Sequence, residues 1–225
     1  MKQHFLIKNN HKHLLLFFAG WGMDENPFLQ FLPSDSNSDW MICYDYRSLE
    51  FDESLVKAYG HITLVAWSMG VWAASQVIKQ HPTLHISKCI AINGTLFPID
   101  ETKGITPTIF EGTLQGLNEV TLQKFQRRMC CSSTDYRAFQ TIIPQRSVEE
   151  LAEELASIQR QVSTYSPASF FWDIAYIGLQ DRIFLSENQR EAWRTSAHSI
   201  KEVNAAHYQY DLFKEIFSTI ETTYE

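Results

Sequence analysis

The chain has 225 residues, of which 44% are hydrophobic and 20% are charged, and its formal net charge at pH 7 is −7. This composition excludes a disordered chain, and the negative charge argues against a general nucleic-acid binder. No segment approaches the roughly 18 apolar residues of a membrane span and the N-terminus lacks the apolar core of a signal peptide, so we expect a cytoplasmic protein with neither a membrane nor a nucleic-acid partner.

Four nearly continuous apolar runs in the first part of the chain predict strands that are buried on both faces. These runs are HLLLFFA (13–19), WMICY (40–44), ITLVAW (62–67) and KCIAIN (88–93). Between the third and the fourth run, MGVWAASQVIKQ (69–80) has helical spacing and is followed by His81-Pro82, which ends helices. The order of strand, helix and strand indicates a parallel sheet in an α/β protein.

The pattern becomes helical from about residue 95 to residue 167. Residues 117–129 and 147–162 are the clearest helical segments, and Ser147 to Glu150 form a Ser-x-x-Glu capping box. The α/β pattern then resumes, with a strand at 172–178, a helix from about Ser186, a strand near 199–203 and a helix from about Tyr210. We therefore predict a core formed by residues 1–95 and 168–225 with a helical cap inserted at residues 96–167.

Ser68 lies between a predicted strand and a predicted helix with no other residue in the turn. In α/β hydrolases the nucleophile occupies such a turn, with small residues, usually glycines, two positions before and after it. Here those residues are Ala66 and Gly70. A serine that caps the helix would produce the same local pattern, so the motif alone leaves both interpretations open.

Two later residues supply the partners that a nucleophilic serine requires. The hydrolase order is serine, acid, histidine, and Asp181 and His207 each follow a predicted strand, at the edge where functional groups of parallel sheets gather. Asp173 and Asp211 are weaker candidates, because the first lies within a strand and the second follows the histidine. We predict a catalytic triad of Ser68, Asp181 and His207.

An oxyanion hole needs two backbone N–H groups beside the nucleophile. Met69 supplies one at the N-terminus of the helix, and Trp21, in the glycine-flanked turn after the first apolar run, is predicted to supply the other. Four aromatic residues are candidates for an apolar acyl channel, although most aromatic residues belong to the core. They are Trp21, Trp67, Phe97 and Phe110.

The cysteines and histidines give no sign of a metal or redox site. The four cysteines have no C-x-x-C spacing, and the eight histidines form no ligand pair beside carboxylates. We expect structural thiols, no metal and no cofactor. The cysteines are Cys43, Cys89, Cys130 and Cys131.

Taken together, these segments resemble the small α/β hydrolases that act as pimeloyl-acyl carrier protein methyl ester esterases in biotin synthesis, the BioG type. The segments are FFAGWG, YDYR (44–47), AWSMGVWAA, GLQDRIF and NAAHY, spread over about residues 14 to 210. The resemblance implies an α/β-hydrolase core with a mostly parallel sheet and a helical cap, the triad and oxyanion residues named above, and no cofactor. It also implies that the reaction removes the methyl group from the distal ester of a pimeloyl chain carried by acyl carrier protein.

Basic residues are concentrated between residues 120 and 148, where five of them accompany a single acid, Asp135. Such an excess on an acidic protein would attract an acidic carrier protein, although a solvated helix face accounts for it equally well. The candidate docking residues are Lys124, Arg127, Arg128, Arg137 and Arg146.

Two other functions remain open from the sequence. A different α/β hydrolase, such as a thioesterase or a carbon–carbon hydrolase, would have the same fold and triad, because neither selects the leaving group. A non-catalytic binding module could also retain the fold. We expect the protein to be a monomer in either case.

Overall fold

The computed structural model describes residues 1–166 and 170–223, and a seven-stranded sheet forms its centre. The order across the sheet is β1-β3-β2-β4-β5-β6-β7. Among the described strands, β1 alone pairs antiparallel, with β3, and every other neighbouring pair is parallel. The strands are β1 (Lys2–Ile7), β2 (His13–Phe18), β3 (Asp39–Tyr44), β4 (His61–Trp67), β5 (Ile86–Ile92), β6 (Trp172–Gly178) and β7 (Ala197–Val203).

The mostly parallel sheet with flanking helices confirms the predicted α/β class. The apolar runs of β2, β3 and β4 are almost entirely buried, because central parallel strands are covered on both faces. Strand β1 was not predicted. Its sequence, KQHFLI, alternates exposed and half-buried residues, which is the pattern of a partly solvated edge strand.

Seven α-helices and two short 3₁₀ helices (Asn26–Phe31 and Glu53–Leu55) surround the sheet in the described residues. Four of the α-helices, α2 to α5, lie between β5 and β6, within the segment predicted to be an inserted cap. The predicted end of that segment, at residues 167 and 168, lies outside the described residues. The helices are α1 (Met69–Gln80), α2 (Pro107–Gln115), α3 (Glu119–Met129), α4 (Ser133–Gln140), α5 (Val148–Thr164), α6 (Ser186–Trp193) and α7 (Tyr210–Thr222).

Three of the four helices in this segment, α3, α4 and α5, begin at hydrogen-bonded caps. The predicted capping box of α5 is confirmed, with the Ser147 hydroxyl accepting from the Glu150 N–H at 3.2 Å. Helices α3 and α4 also begin with capping boxes, at Asn118 and Ser132, but their third residues are Thr121 and Asp135 rather than the usual Glu or Gln. That difference explains why the sequence pattern did not reveal them. None of the helices in the described parts of the chain has the length and apolarity needed to cross a membrane.

The four cysteines are unpaired, and three of them are buried. Burial raises the pKa of the Cys89 and Cys130 thiols to about 12, and it raises the pKa of Cys43 well above its usual range. These three thiols stay protonated and unreactive at neutral pH. Cys131 is exposed, unlike the other three cysteines.

Iodoacetamide is therefore expected to alkylate Cys131 alone in the native protein at neutral pH. After denaturation all four cysteines should react, because burial no longer protects the other three. Peptide mass spectrometry after a short pulse of reagent distinguishes the sites. Alkylation of Cys130 in the native protein at the same rate as Cys131 would contradict the burial of Cys130.

Candidate active site

Ser68 occupies the turn between β4 and α1 in a backbone conformation that is rare for a non-glycine residue, with φ 59° and ψ −128°. Its N–H donates to the Ile92 carbonyl at 3.0 Å, which anchors the turn to β5. Although Ser68 stands at the N-cap position, its side chain makes no capping bond to the helix. Its Oγ instead lies 3.0 Å from His207 Nε2, so helix capping does not account for this serine.

Close approach of the end of β2 explains the glycine two residues after Ser68. A Cβ on Gly70 would overlap the carbonyl oxygens of Phe18 and Ala19, at the end of β2. A Cβ on Gly20 would lie 3.1 Å from the Ser68 Cβ, so the turn after β2 runs beside the nucleophile candidate. Any side chain at position 70 would therefore clash with the backbone at the end of β2.

Gly70→Ala is expected to destabilise the protein by about 2 kcal/mol, because the added methyl group must push α1 away from β2. It should also lower the turnover of a small ester by displacing Ser68. Ala66→Gly is the matched control, since it restores the residue usual at that position and creates no overlap. Urea denaturation and turnover of a small ester measure the two effects, and wild-type stability in Gly70→Ala would contradict the close approach of these segments.

The structure brings the three residues of the predicted triad together in one chain of hydrogen bonds. Asp181 lies in the turn after β6, and His207 lies between β7 and α7. His207 Nδ1 is 2.9 Å from Asp181 Oδ2, and all three side chains are buried. An ionised carboxylate can only accept, so Nδ1 carries the proton and Nε2 is free to accept from the Ser68 hydroxyl.

Asp181 is held by four donors. Its Oδ1 accepts from the N–H groups of Ile183 at 2.7 Å and Phe184 at 3.0 Å, and its Oδ2 accepts from Gln189 Nε2 at 3.2 Å as well as from His207. Together these donors fix the orientation of the carboxylate. The alternative acid Asp173 instead accepts from the Cys89 N–H, away from the histidine.

Trp21 and Met69 line the same pocket as Ser68 and His207. Within the described residues neither backbone N–H of this pair has a protein acceptor, so both are available to a bound group. The Trp21 indole donates to the Leu151 carbonyl of α5 at 3.0 Å, which ties the turn after β2 to the helical segment. Two free N–H groups beside a serine are the elements of an oxyanion hole.

The pocket in front of Ser68 is narrow and mostly apolar. Trp21, Trp67 and Phe110 line it as predicted, but Phe97 does not and instead packs against the core beneath Lys103. The sequence did not single out its remaining apolar lining, because those residues come from separate helices and loops. They are Ile105, Ile109, Phe125, Met129, Leu155 and Ile183.

A second, more open groove of about 370 Å³ lies between α2 and α3 and adjoins this pocket. The two cavities share Ile109, Thr113, Phe125 and Arg128. Lys124 also lines the groove. The groove thus leads to the serine pocket and is lined by two positively charged side chains.

The five candidate docking residues separate into three groups. Lys124 and Arg128 line the groove, while Arg127 and Arg137 are exposed outside it. The assignment of Arg146 to a docking surface is wrong. Its side chain is only 3% exposed and lies 2.7 Å from Glu154 and 3.2 Å from Asp45, so it neutralises buried acids and cannot reach a partner.

The parallel sheet, with a serine turn after β4 and a histidine after β7, defines an α/β hydrolase. Solved structures share this fold at low sequence identity. The esterase EaEST from Exiguobacterium antarcticum is 12% identical with a TM-score of 0.68, covering 99% of this chain and 94% of that one.

Residues 1–219 match the profile of the family described as pimeloyl-ACP methyl esterase BioG, and the chain belongs to this family. The crystal structure of BioG from Haemophilus influenzae is similar, with 35% identity, a TM-score of 0.85, and coverage of 95% of this chain and 97% of that one. A malonyl-[acyl-carrier protein] O-methyltransferase of Bacteroides fragilis is 55% identical over 91% of this chain. The match spans only 41% of that longer relative.

Proposed function

We propose that the protein is a serine carboxylesterase that hydrolyses the methyl ester of pimeloyl-acyl carrier protein in biotin synthesis. The observation that carries this proposal is the hydrogen-bonded series from Ser68 through His207 to Asp181 at the base of an apolar pocket. Membership of the BioG family supports the choice of substrate. Because that substrate is linked to acyl carrier protein, we also propose a cytoplasmic location.

The reaction follows from the roles of the triad. Ser68 Oγ attacks the ester carbonyl while His207 Nε2 takes its proton, and Asp181 orients the ring and stabilises the imidazolium. The N–H groups of Trp21 and Met69 donate to the tetrahedral oxyanion. His207 then protonates the departing methoxide, which leaves as methanol, and the pimeloyl chain remains esterified to Ser68.

Water completes the cycle. His207 removes a proton from water as the water attacks the acyl-enzyme, and the same proton returns to Ser68 Oγ when the intermediate collapses. The product is pimeloyl-acyl carrier protein with a free distal carboxylate. The apolar pocket suits the methylene chain, and the adjoining groove with Lys124 and Arg128 suits the anionic arm that connects the chain to its carrier.

A substrate with two cleavable bonds tests the proposal against a thioesterase. Methyl pimeloyl-acyl carrier protein contains both a methyl ester and a thioester, and cleavage of the first releases methanol while cleavage of the second exposes a thiol. We expect methanol in proportion to enzyme turnover and no new thiol. Release of thiol without methanol would show that the protein is a thioesterase and not an esterase.

The double variant Arg127→Glu/Arg137→Glu is expected to raise KM for the carrier-linked ester by about 10-fold at low salt. The reason is that two positive charges that attract an acidic partner are replaced by negative charges that repel it. Turnover of a small methyl ester should be unchanged, since neither residue lines the serine pocket. Lys79→Glu/Arg194→Glu is a control with the same charge change outside α3 and α4. Equal losses on both substrates, or equal effects of both double variants, would contradict docking at this surface.

A further inference from the structure

Asn93 directly follows β5 and is almost completely buried, with an exposed fraction of 1%. Its φ of 45° lies in the left-handed region, where asparagine is among the few non-glycine residues that are readily tolerated. Its backbone N–H donates to the Tyr176 carbonyl of β6 at 3.0 Å. The residue therefore sits at the carboxyl edge of the sheet, between the strands that precede Ser68 and Asp181.

The Asn93 side chain uses both of its amide hydrogens and its oxygen. Nδ2 donates to the carbonyls of Ala206 at 2.8 Å and His207 at 3.0 Å, and Oδ1 accepts from the Gly178 N–H at 2.7 Å. All three partners are backbone groups in the two segments that carry the proposed acid and base. A single buried amide thus joins those segments.

Each of these bonds lies close to the triad. The turn that carries the proposed acid begins at Gly178, whose carbonyl accepts from the Asp181 N–H at 3.1 Å. The His207 carbonyl also accepts from the Trp67 indole at 2.9 Å, and Trp67 immediately precedes the nucleophile. The histidine backbone is therefore fixed by one donor from the nucleophile strand and one from Asn93.

We propose that Asn93 is a positioning residue for the hydrolysis, which holds His207 and Asp181 at hydrogen-bonding distance from each other and from Ser68. This inference rests on the catalytic roles proposed above. The packing around the amide leaves little freedom, because a Cβ on Gly178 would lie 2.9 Å from Asn93 Oδ1 and would overlap the Ala205 carbonyl. Aspartate in the same place would offer no donors to the two carbonyls when ionised.

Asn93→Gly removes the side chain and keeps the left-handed backbone without strain. We expect kcat for an activated small ester to fall by about 10- to 100-fold with little change in KM, because substrate contacts remain while the base is less well oriented. The downfield proton resonance of the His207 Nδ1–H should weaken or disappear in the NMR spectrum. Asn26→Gly is the matched control, since Asn26 also donates to a backbone carbonyl, that of Ile143, but outside the active site.

A double-mutant cycle with His207→Ala separates positioning from general stability. If Asn93 acts through the histidine, Asn93→Gly should change the residual rate of His207→Ala by less than about 2-fold. Equal losses in both backgrounds would overturn the inference. Wild-type activity in His207→Ala would overturn the proposed triad itself, whereas an inactive His207→Ala beside a fully active Asn93→Gly would overturn the role of Asn93 alone.

Asn93→Asp provides a second variant if the glycine variant does not fold. It preserves the size of the side chain and the acceptor for Gly178, but it loses the two N–H donors to Ala206 and His207. We expect kcat to fall by at least as much as in the glycine variant. Full activity at neutral pH would show that these donors are unnecessary and would overturn the inference.

Discussion

Ser68→Ala is expected to lower kcat for ester hydrolysis by about 10⁴-fold or more, because no other group can form the acyl-enzyme. The melting temperature should stay within about 3 °C of the wild type, since the Ser68 side chain makes no structural capping bond. Ester turnover and thermal unfolding measure the two effects. Activity near the wild-type level would contradict the assignment of the nucleophile.

A second serine controls for the loss of a buried hydroxyl. Ser75 Oγ donates to the Val71 carbonyl and accepts from the Trp172 indole, on the same helix but away from the triad. Ser75→Ala is expected to cost about 1 kcal/mol of stability and to retain activity. A fluorophosphonate probe should label wild type and Ser75→Ala but not Ser68→Ala, and failure to label the wild type would favour a binding module.

Arg146→Met is expected to destabilise the fold by about 3–5 kcal/mol, the largest loss of stability that we predict. The substitution leaves Glu154, which is fully buried, without its cation, although the carboxylate still accepts from the Tyr46 N–H at 2.8 Å. Arg47→Met is a useful control, because Arg47 also pairs with Asp45 but is 34% exposed and should cost no more than about 1 kcal/mol. Chemical denaturation measures all three proteins.

Two further observations test this explanation. Arg146→Met/Glu154→Gln should recover most of the lost stability, since a neutral amide needs no cation and can still accept from the Tyr46 N–H.

Burial raises the pKa of Glu154 above its ordinary value of 4.5 against the opposing effect of Arg146, and loss of Arg146 raises it further. The deficit of Arg146→Met should therefore shrink as pH falls towards 4.5, because the folded state then gains the proton more readily than the unfolded state. A deficit that is independent of pH, with no recovery in the double variant, would contradict the buried ion pair.

The sequence revealed the sheet because central parallel strands are apolar along their whole length. It also predicted that Ser68, Asp181 and His207 lie close together, since the carboxyl ends of parallel strands meet at one edge of the sheet. Strand β1 escaped detection because an edge strand exposes part of its surface and lacks a continuous apolar run.

Other features depend on three-dimensional contacts that have no signature in the sequence. The local excess of basic residues led us to group Arg146 with exposed arginines. In the structure its charge is neutralised by Glu154, which is near in sequence, and by Asp45, which is far away in sequence. Asn93 belongs to no recognisable sequence motif, because its partners are backbone carbonyls and N–H groups, which every residue type provides. Such residues become apparent only when burial and hydrogen bonds are known.

The most direct test of the central claim is the intact mass of the carrier protein after incubation of methyl pimeloyl-acyl carrier protein with the purified enzyme. Hydrolysis of the methyl ester converts the distal CO₂CH₃ group to CO₂H, so we predict that the carrier loses the mass of one methylene group, and that Ser68→Ala leaves its mass unchanged. An unchanged mass with the wild-type enzyme, or loss of the whole acyl chain, would contradict a pimeloyl-acyl carrier protein methyl ester esterase.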